Sequence, residues 1–264
     1  MAVRPKTRRS PEGGAYVFHS RNPLRIHIAC FRDIGSIAAC TNVHFVNTIA
    51  LINLTGHVRM NDKDPIKTKT HEIITFEDGD PNENPWVLGA PETEHIEVVP
   101  YDKAWPALFN TLSQRIASAP GIKALEIAHV GSTAVPGLSA KPVIDIDMIV
   151  DDPEDEASYI PALTAIGYRH RVREPSWYQH RMLRLDTPRV NLHIFGPDCP
   201  EHLRHLLFRD WLSGNPQDRR LYEEAKTAAL SGAATMQQYN MNKQQVVREI
   251  YQRIFAHNGW LPEN

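Results

Sequence analysis

Cysteine is scarce in this sequence, and Cys30, Cys40 and Cys199 form no C-x-x-C pair. That spacing excludes a disulfide framework and a thiolate zinc site, and it fits a reducing, cytoplasmic setting. A surplus of charge of either sign is also missing. With 29 Lys and Arg against 31 Asp and Glu, the net charge is −2, so no specific nucleic acid and no anionic membrane is predicted as an obligatory partner. Internal repeats and low-complexity tracts are absent as well. What is present is the balance of a globular chain: 264 residues, 42% apolar and 23% charged, enough to bury a real core.

The neutral average hides three zones. Residues 1–60 carry eight Lys or Arg against two acids, residues 61–94 carry three Lys against nine acids, and the remainder is nearly neutral. The stretch Ile34 to Leu54 has no charge, which raises a membrane anchor; Asn42, His44, Asn47 and Asn53 would be costly in hydrocarbon, and the stretch starts too far from Met1 for a signal peptide. The Arg-rich start has the charge of an organelle-targeting peptide, but Pro11 and Glu12 weaken the amphipathic helix this needs. From Asp62 to Glu94, four prolines among Asp, Glu, Asn and Gly show no sustained period and read as a linker. Residues 1–94 are therefore expected to be a largely unstructured N-terminal extension. The abrupt switch at Met60 makes it a candidate natural start, which the intact mass of the natural protein would decide.

Organisation begins near His95. Ile96 to Val99 alternates like a strand, and Asp102 is placed to cap a helix carrying Trp105, Leu108, Phe109, Leu112 and Ile116 at helical spacing. Strands are expected over Leu125 to Val130, Val143 to Val150, Tyr168 to Arg173, Arg181 to Asp186 and Val190 to Phe195. Between the second and third, a helix opens near Pro153; Pro161 should kink it or delay its start. Helices over Glu201 to Leu212, Asp218 to Leu230 and Asn242 to His257 complete an α+β core spanning 95–264.

The chemistry concentrates in HVGSTAVPGLSAKPVIDIDMIV, residues 129–150. Side chains alternate along a strand, so Ile144, Ile146, Met148 and Val150 form one apolar row and Asp145 and Asp147 project together from the other face. Two strand rises put these acids about 6 to 7 Å apart at the backbone, within reach of one hard cation such as Mg2+. Without it their repulsion would raise one pKa, and two solvated acids on an edge strand are the plainer reading. Upstream, Gly131 and Ser132 follow a strand, where backbone amides and a small hydroxyl can cradle phosphate oxygens, as a plain tight turn would also explain. Together the two features place an anion-binding turn beside a carboxylate pair, as a metal–triphosphate complex requires.

That spacing is similar to the signature of the nucleotidyltransferase superfamily, and HVGSTAVPGLSAKPVIDIDM resembles the hallmark of the GrpB family within it. The likeness runs over about 96–257 and takes in VVPYDKAW, the Gly167-Tyr168 pair, NLHIF and LLFRDWL. Similar domains occur joined to some bacterial dephospho-CoA kinases. The resemblance implies a nucleotidyltransferase-like fold, a short mixed β-sheet flanked by helices. It implies that Gly131 and Ser132 contact the triphosphate of a nucleoside triphosphate, while Asp145 and Asp147 hold Mg2+ so that an acceptor hydroxyl attacks the α-phosphorus and pyrophosphate leaves. Which acceptor is not legible. His129 and Lys141 match the same string and meet a phosphate or order the loop.

One departure matters. Where active members of the superfamily often place a third acid on a neighbouring strand, this sequence presents Asn191 and His193. His193 is then a metal ligand, a proton carrier, a phosphate contact or an ordinary strand histidine. The alternative to an enzyme is a catalytically inactive nucleotide- or phosphometabolite-binding domain. Arg209 and Asp210 read as an ion pair, and Lys226 and Lys243 as anion contacts at best. His202 and His205 have chelating i,i+3 spacing but no further ligands nearby in sequence. Ser132 as a hydrolase nucleophile is disfavoured because GSTAV lacks the second glycine of the nucleophile elbow.

Overall fold

The computed structural model describes residues 51–52, 58–59, 69–89, 97–230 and 236–261, all within the second of two compact units, Ala50–Asn264. The expected anchor, targeting segment and alternative start at Met60 lie largely or wholly outside the described residues. Two short strands, β1 (Leu51–Ile52) and β2 (Val58–Arg59), pair with each other antiparallel. The main body is a five-stranded mixed sheet in the order β3-β4-β7-β6-β5. Its strands are β3 (Glu126–Val130), β4 (Ile144–Ile149), β5 (Arg169–Glu174), β6 (His180–Leu185) and β7 (Val190–Phe195). Only β4 and β7 run parallel, so β4 sits between an antiparallel and a parallel neighbour.

Alternation on β4 decides the layering. Ile144, Ile146 and Met148 are at most 1% exposed and pack with Trp105, Leu112 and Ile116 of α2 (Trp105–Ala117) and with Leu163 of α3 (Ile160–Ala165). The opposite face, carrying the two acids, receives α4 (Pro200–Gly214), followed by α5 (Pro216–Leu230) and α6 (Met236–His257). Those helices form a second core with Val135 and Leu138 through Leu203, Leu212, Tyr222, Ile250 and Phe255.

Several local expectations sharpen. Asp102 does not cap α2 directly: its Oδ1 accepts the Ala104 amide at 2.8 Å and its carbonyl accepts that of Trp105 at 3.1 Å, a turn that launches the helix. Pro161 delays its helix, which begins at Ile160, because the missing amide proton is harmless in a first turn. Val99 makes a single bridge to Ala140 instead of a strand. The helix expected from Asn242 already starts at Met236.

The larger difference is at residues 69–89, expected to be linker. They contain α1 (Thr70–Ile74) and then run along the outer strand β5. Val87 donates to the Arg171 carbonyl at 3.1 Å and Arg173 to that of Pro85 at 2.9 Å, covering an edge that would otherwise present unpaired amides. Arg204, 1% exposed, holds the other end: its Nη1 donates to the carbonyls of Glu72, Ile73 and Thr75 at 3.0–3.2 Å, its Nε to Glu201 at 2.7 Å and its Nη2 to the Tyr178 hydroxyl at 2.9 Å. Composition signalled a linker because these bonds are made by backbone carbonyls, which leave no trace in residue type.

Candidate functional site

Gly131 turns the chain out of β3 with φ 69°, a conformation that favours glycine. A Cβ there would overlap Asp145 Oδ2 and lie 3.0 Å from the Asp145 Cβ. The backbone of the turn is thus seated directly on the first of the two acids. Ser132 opens a 3-10 turn, Ser132–Ala134; it is half-buried, and its side chain makes no hydrogen bond to another described residue. Behind it, Thr133 donates to the Val143 carbonyl at 3.1 Å. The His129 Nε2–H must therefore be the donor to Thr133 Oγ1, also at 3.1 Å. His129 stacks on Phe109 at 4.7 Å, and its carbonyl accepts Arg209 Nη1 at 3.0 Å. Burial, then Arg209, pushes its pKa down to about 4. It orders the turn from behind. Arg209 also makes the expected ion pair with Asp210, at 2.7 Å.

Asp145 and Asp147 share a face of β4, as the alternation requires, but their surroundings differ. Asp145 is half-buried and accepts Asn191 Nδ2–H at 2.9 Å from the paired position of β7. Burial raises its pKa, against the Asn191 hydrogen bond and the charges of Lys141, His205 and Lys243. Asp147 is 0% exposed. His202 Nδ1 donates to its Oδ2 at 2.9 Å, and His205 Nδ1 to Oδ2 at 2.9 Å and Oδ1 at 3.2 Å. Burial opposes its ionisation, yet His205 and the two hydrogen bonds hold it well below the usual carboxylate range. In return, although burial disfavours its charge, His205 is pushed up to about 9 by Asp147. The far nitrogens of His202 and His205 lie 3.5 Å from Glu126 and Glu201.

His193 stands opposite Asp147 in the β4–β7 register. Its Nδ1 is 2.9 Å from His180 Nε2, and the His180 Nδ1 donates to Glu174 Oε2 at 2.7 Å. Burial and His180 push His193 down to about 3, so it is a neutral hydrogen-bonding group at ordinary pH. His180 arrives through a tight turn in which Tyr178 and Gln179 are both left-handed, φ 52°, and the His180 amide bonds the Trp177 carbonyl at 3.0 Å. Gly131, Ser132 and Asp145 thus come together with Asn191, and Asp147 comes together with His193. His129 turns inward, and Lys141 lies over the Tyr239 ring at 5.1 Å.

The sequence reading missed that His202 and His205 both reach Asp147, against its expectation that nothing clusters near them. The available signal was an i,i+3 histidine pair just after the strand paired with the acids; only docking of α4 converts it into contact. His180 carried no signal beyond its place in a loop.

The model for the family described as GrpB protein matches residues 95–253. The chain belongs to the GrpB family. It is 43% identical over 167 residues to the UPF0157 protein BH1888 of Halalkalibacterium halodurans, covering 63% of this chain and 86% of that one. Identity to the UPF0157 protein SCO7215 of Streptomyces coelicolor is 37% over 171 residues, 64% and 90% of the two chains. A dephospho-CoA kinase of Mycolicibacterium paratuberculosis is 30% identical over 197 residues, 63% of this chain and 48% of the kinase. The crystal structure of GrpB from Enterococcus faecalis superposes with a TM-score of 0.51 at 27% identity, over 60% of this chain and 99% of that one. The segment 69–89 that covers β5 lies outside the stretch matched by the GrpB model.

Whether this GrpB domain suits Mg2+ can be judged from its donors. Mg2+ takes oxygen ligands in near-octahedral geometry and keeps several waters. Asp145 fits: it is half-buried, it lies against Gly131, which has no side chain, and its carboxylate is engaged by Asn191 through Oδ1. Asp147 does not fit in this arrangement, because both oxygens are engaged by His202 and His205 and its charge is already balanced. Among the described residues no three His, Cys, Asp or Glu groups converge as a ready ligand set. A cation clamped by both acids, the expectation from sequence, is not assembled here. No helix among the described residues is long and apolar enough to cross a membrane.

Proposed function

We propose that this GrpB-family chain is a nucleotidyltransferase-like protein of the cytoplasm, binding a nucleoside triphosphate at the Gly131–Ser132 turn beside Asp145 and passing its nucleotidyl group to an acceptor hydroxyl. The observation that carries this reading is the seating of the Gly131 backbone on the Asp145 carboxylate, which brings anion-binding amides and a half-buried acid to one place. Ser132 adds an uncommitted hydroxyl. Asp145 would hold Mg2+ together with the phosphates, and the ion would offset their charge as pyrophosphate departs. Asn191 orients Asp145, and His129 with Thr133 keeps the turn in place. Asp147 sets the position of α4 over the sheet through its two histidines, and neutral His193, aligned by His180 and Glu174, supplies hydrogen bonding without charge.

A second reading is favoured by one observation, the engagement of both Asp147 oxygens: a catalytically inactive domain that binds a nucleotide or phosphometabolite. Calorimetric titration with each nucleoside triphosphate, with and without Mg2+, followed by a pyrophosphate-release assay, separates the two. Binding with turnover supports the transferase, and binding without turnover supports the inactive domain. Asp145→Asn should abolish the Mg2+-dependent part of binding while the far-UV spectrum stays unchanged; unaltered Mg2+ dependence in that variant overturns the assignment of Asp145.

A further inference from the structure

Side chains from three neighbouring strands form one line of hydrogen bonds across the sheet. Glu174 of β5 accepts from His180 Nδ1 of β6 at 2.7 Å, and His180 Nε2 meets His193 Nδ1 of β7 at 2.9 Å. The two ends of the line meet different surroundings. At the inner end, His193 shares its strand face with Asn191, two residues away and bonded to Asp145. The other ring nitrogen, His193 Nε2, makes no hydrogen bond among the described residues and is not sealed from solvent. At the outer end, the Glu174 side chain is 32% exposed and lines a cavity of about 470 Å³ together with residues of the segment 69–89. Between them the His180 side chain is 6% exposed and packs against the rings of Trp177 and Phe195.

The protons on this line are linked. A carboxylate can only accept, so His180 carries Nδ1–H toward Glu174. With His180 neutral, its Nε2 is a lone pair, which makes His193 the donor through Nδ1–H and leaves His193 Nε2 bare on the site face. With His180 an imidazolium, its Nε2–H donates instead, His193 Nδ1 accepts, and the His193 proton sits on Nε2. The two arrangements differ by one proton, taken up at His193 Nε2 and stored on His180 beside the Glu174 carboxylate, while His193 is neutral in both. That agrees with the pKa of His193, pushed down to about 3 by burial and then by His180. The other titratable groups facing His193 are Asp147 from β4 and His205 from α4, which are bonded to each other.

We infer that Glu174, His180 and His193 form a proton relay, in which His193 Nε2 takes a proton on the Asp145 side of the sheet and His180 and Glu174 are positioning residues that carry it to the cavity. In the transfer the O–H bond of the acceptor hydroxyl breaks and its proton bonds to His193 Nε2. The Nδ1 proton of His193 passes to His180 Nε2, and the electron pair left on the oxygen attacks phosphorus. His180 then releases its Nδ1 proton through Glu174 to water. The relay rests on the transferase reading only in naming that hydroxyl as the proton source; the linked protons are tested without it.

The experiment is a pH titration of the full chain, isotopically labelled at the histidine nitrogens and free of substrate and metal, read by the magnetic resonances of the imidazole nitrogens. His193→Asn and His180→Asn assign the signals, and thermal unfolding verifies each fold. The expected result is that wild-type His193 holds one ring proton throughout, on Nδ1 at high pH and on Nε2 at low pH, the change coinciding with protonation of His180. In Glu174→Gln, which keeps an acceptor oxygen and loses the charge, protonation of His180 should move to lower pH by about one to three units. A wild-type His193 proton fixed on one nitrogen, protonation of His193 before His180, or an unmoved midpoint in folded Glu174→Gln overturns the relay. The relay accepts a proton only while His180 is neutral, so pyrophosphate release should fall as pH drops through this change, and that limb should shift with Glu174→Gln by the same amount; an unshifted limb overturns its part in transfer. The change of tautomer without pyrophosphate release keeps the relay and removes the transferase reading. Release without the change of tautomer does the reverse.

Discussion

Replacing Asp147 with asparagine keeps its volume and deletes the charge that His202 and His205 share. The cost can be worked from His205, whose pKa rises from 6.5 to about 9. That rise corresponds to about 3 kcal/mol of preference for the imidazolium in the folded state, in line with the penalty for removing one partner of a buried ion pair. For a domain of this size about 3 kcal/mol lowers Tm by about 6–12 °C. The sign with pH follows from both partners. His205 has a raised folded pKa, so its contribution is complete below 6.5 and is lost as pH climbs through about 9. Asp147 has a lowered one, so its contribution is complete above its ordinary value of 3.8 and is lost only as pH falls through the depressed folded value. Thermal unfolding of wild type and Asp147→Asn should therefore differ most between about pH 4 and 6.5 and converge toward pH 10. In a double-mutant cycle, His205→Gln should cost far less in the Asp147→Asn background than in wild type. A deficit of equal size at pH 6 and pH 10, or none at pH 6, would refute the claim that this pair is ionic.

Two further outcomes follow from geometry. Gly131→Ala places a Cβ against the Asp145 carboxylate on a backbone with φ 69°; it should destabilise the fold by about 1–3 kcal/mol and abolish nucleotide binding, and a variant with wild-type affinity would remove the turn from the site. Arg204→Met removes the donor to the carbonyls of Glu72, Ile73 and Thr75; hydrogen exchange should rise along 69–89 while the β4 amides stay protected, and unchanged protection along 69–89 would show that the β5 edge contacts alone hold the segment.

The secondary structure of the GrpB domain was legible because its strands alternate and its helices repeat every three or four residues, both consequences of burying one face. The pairing of Asp145 with Asp147, the glycine turn and the family itself were legible for the same local reason: they lie within 17 residues of each other on a strand, a turn and a strand. What residue order could not convey was which groups a helix 55 or more residues later would lay against them. Asp147 reads as a metal ligand in the sequence and is a histidine-bound buried acid in the fold, because α4 docks on that face of β4. The line from Glu174 through His180 to His193 joins three strands, and the segment 69–89 is ordered by backbone bonds that composition cannot register. Local periodicity fixes which face each side chain takes; packing of distant elements decides what that face meets, and with it the charge state of every acid in the site.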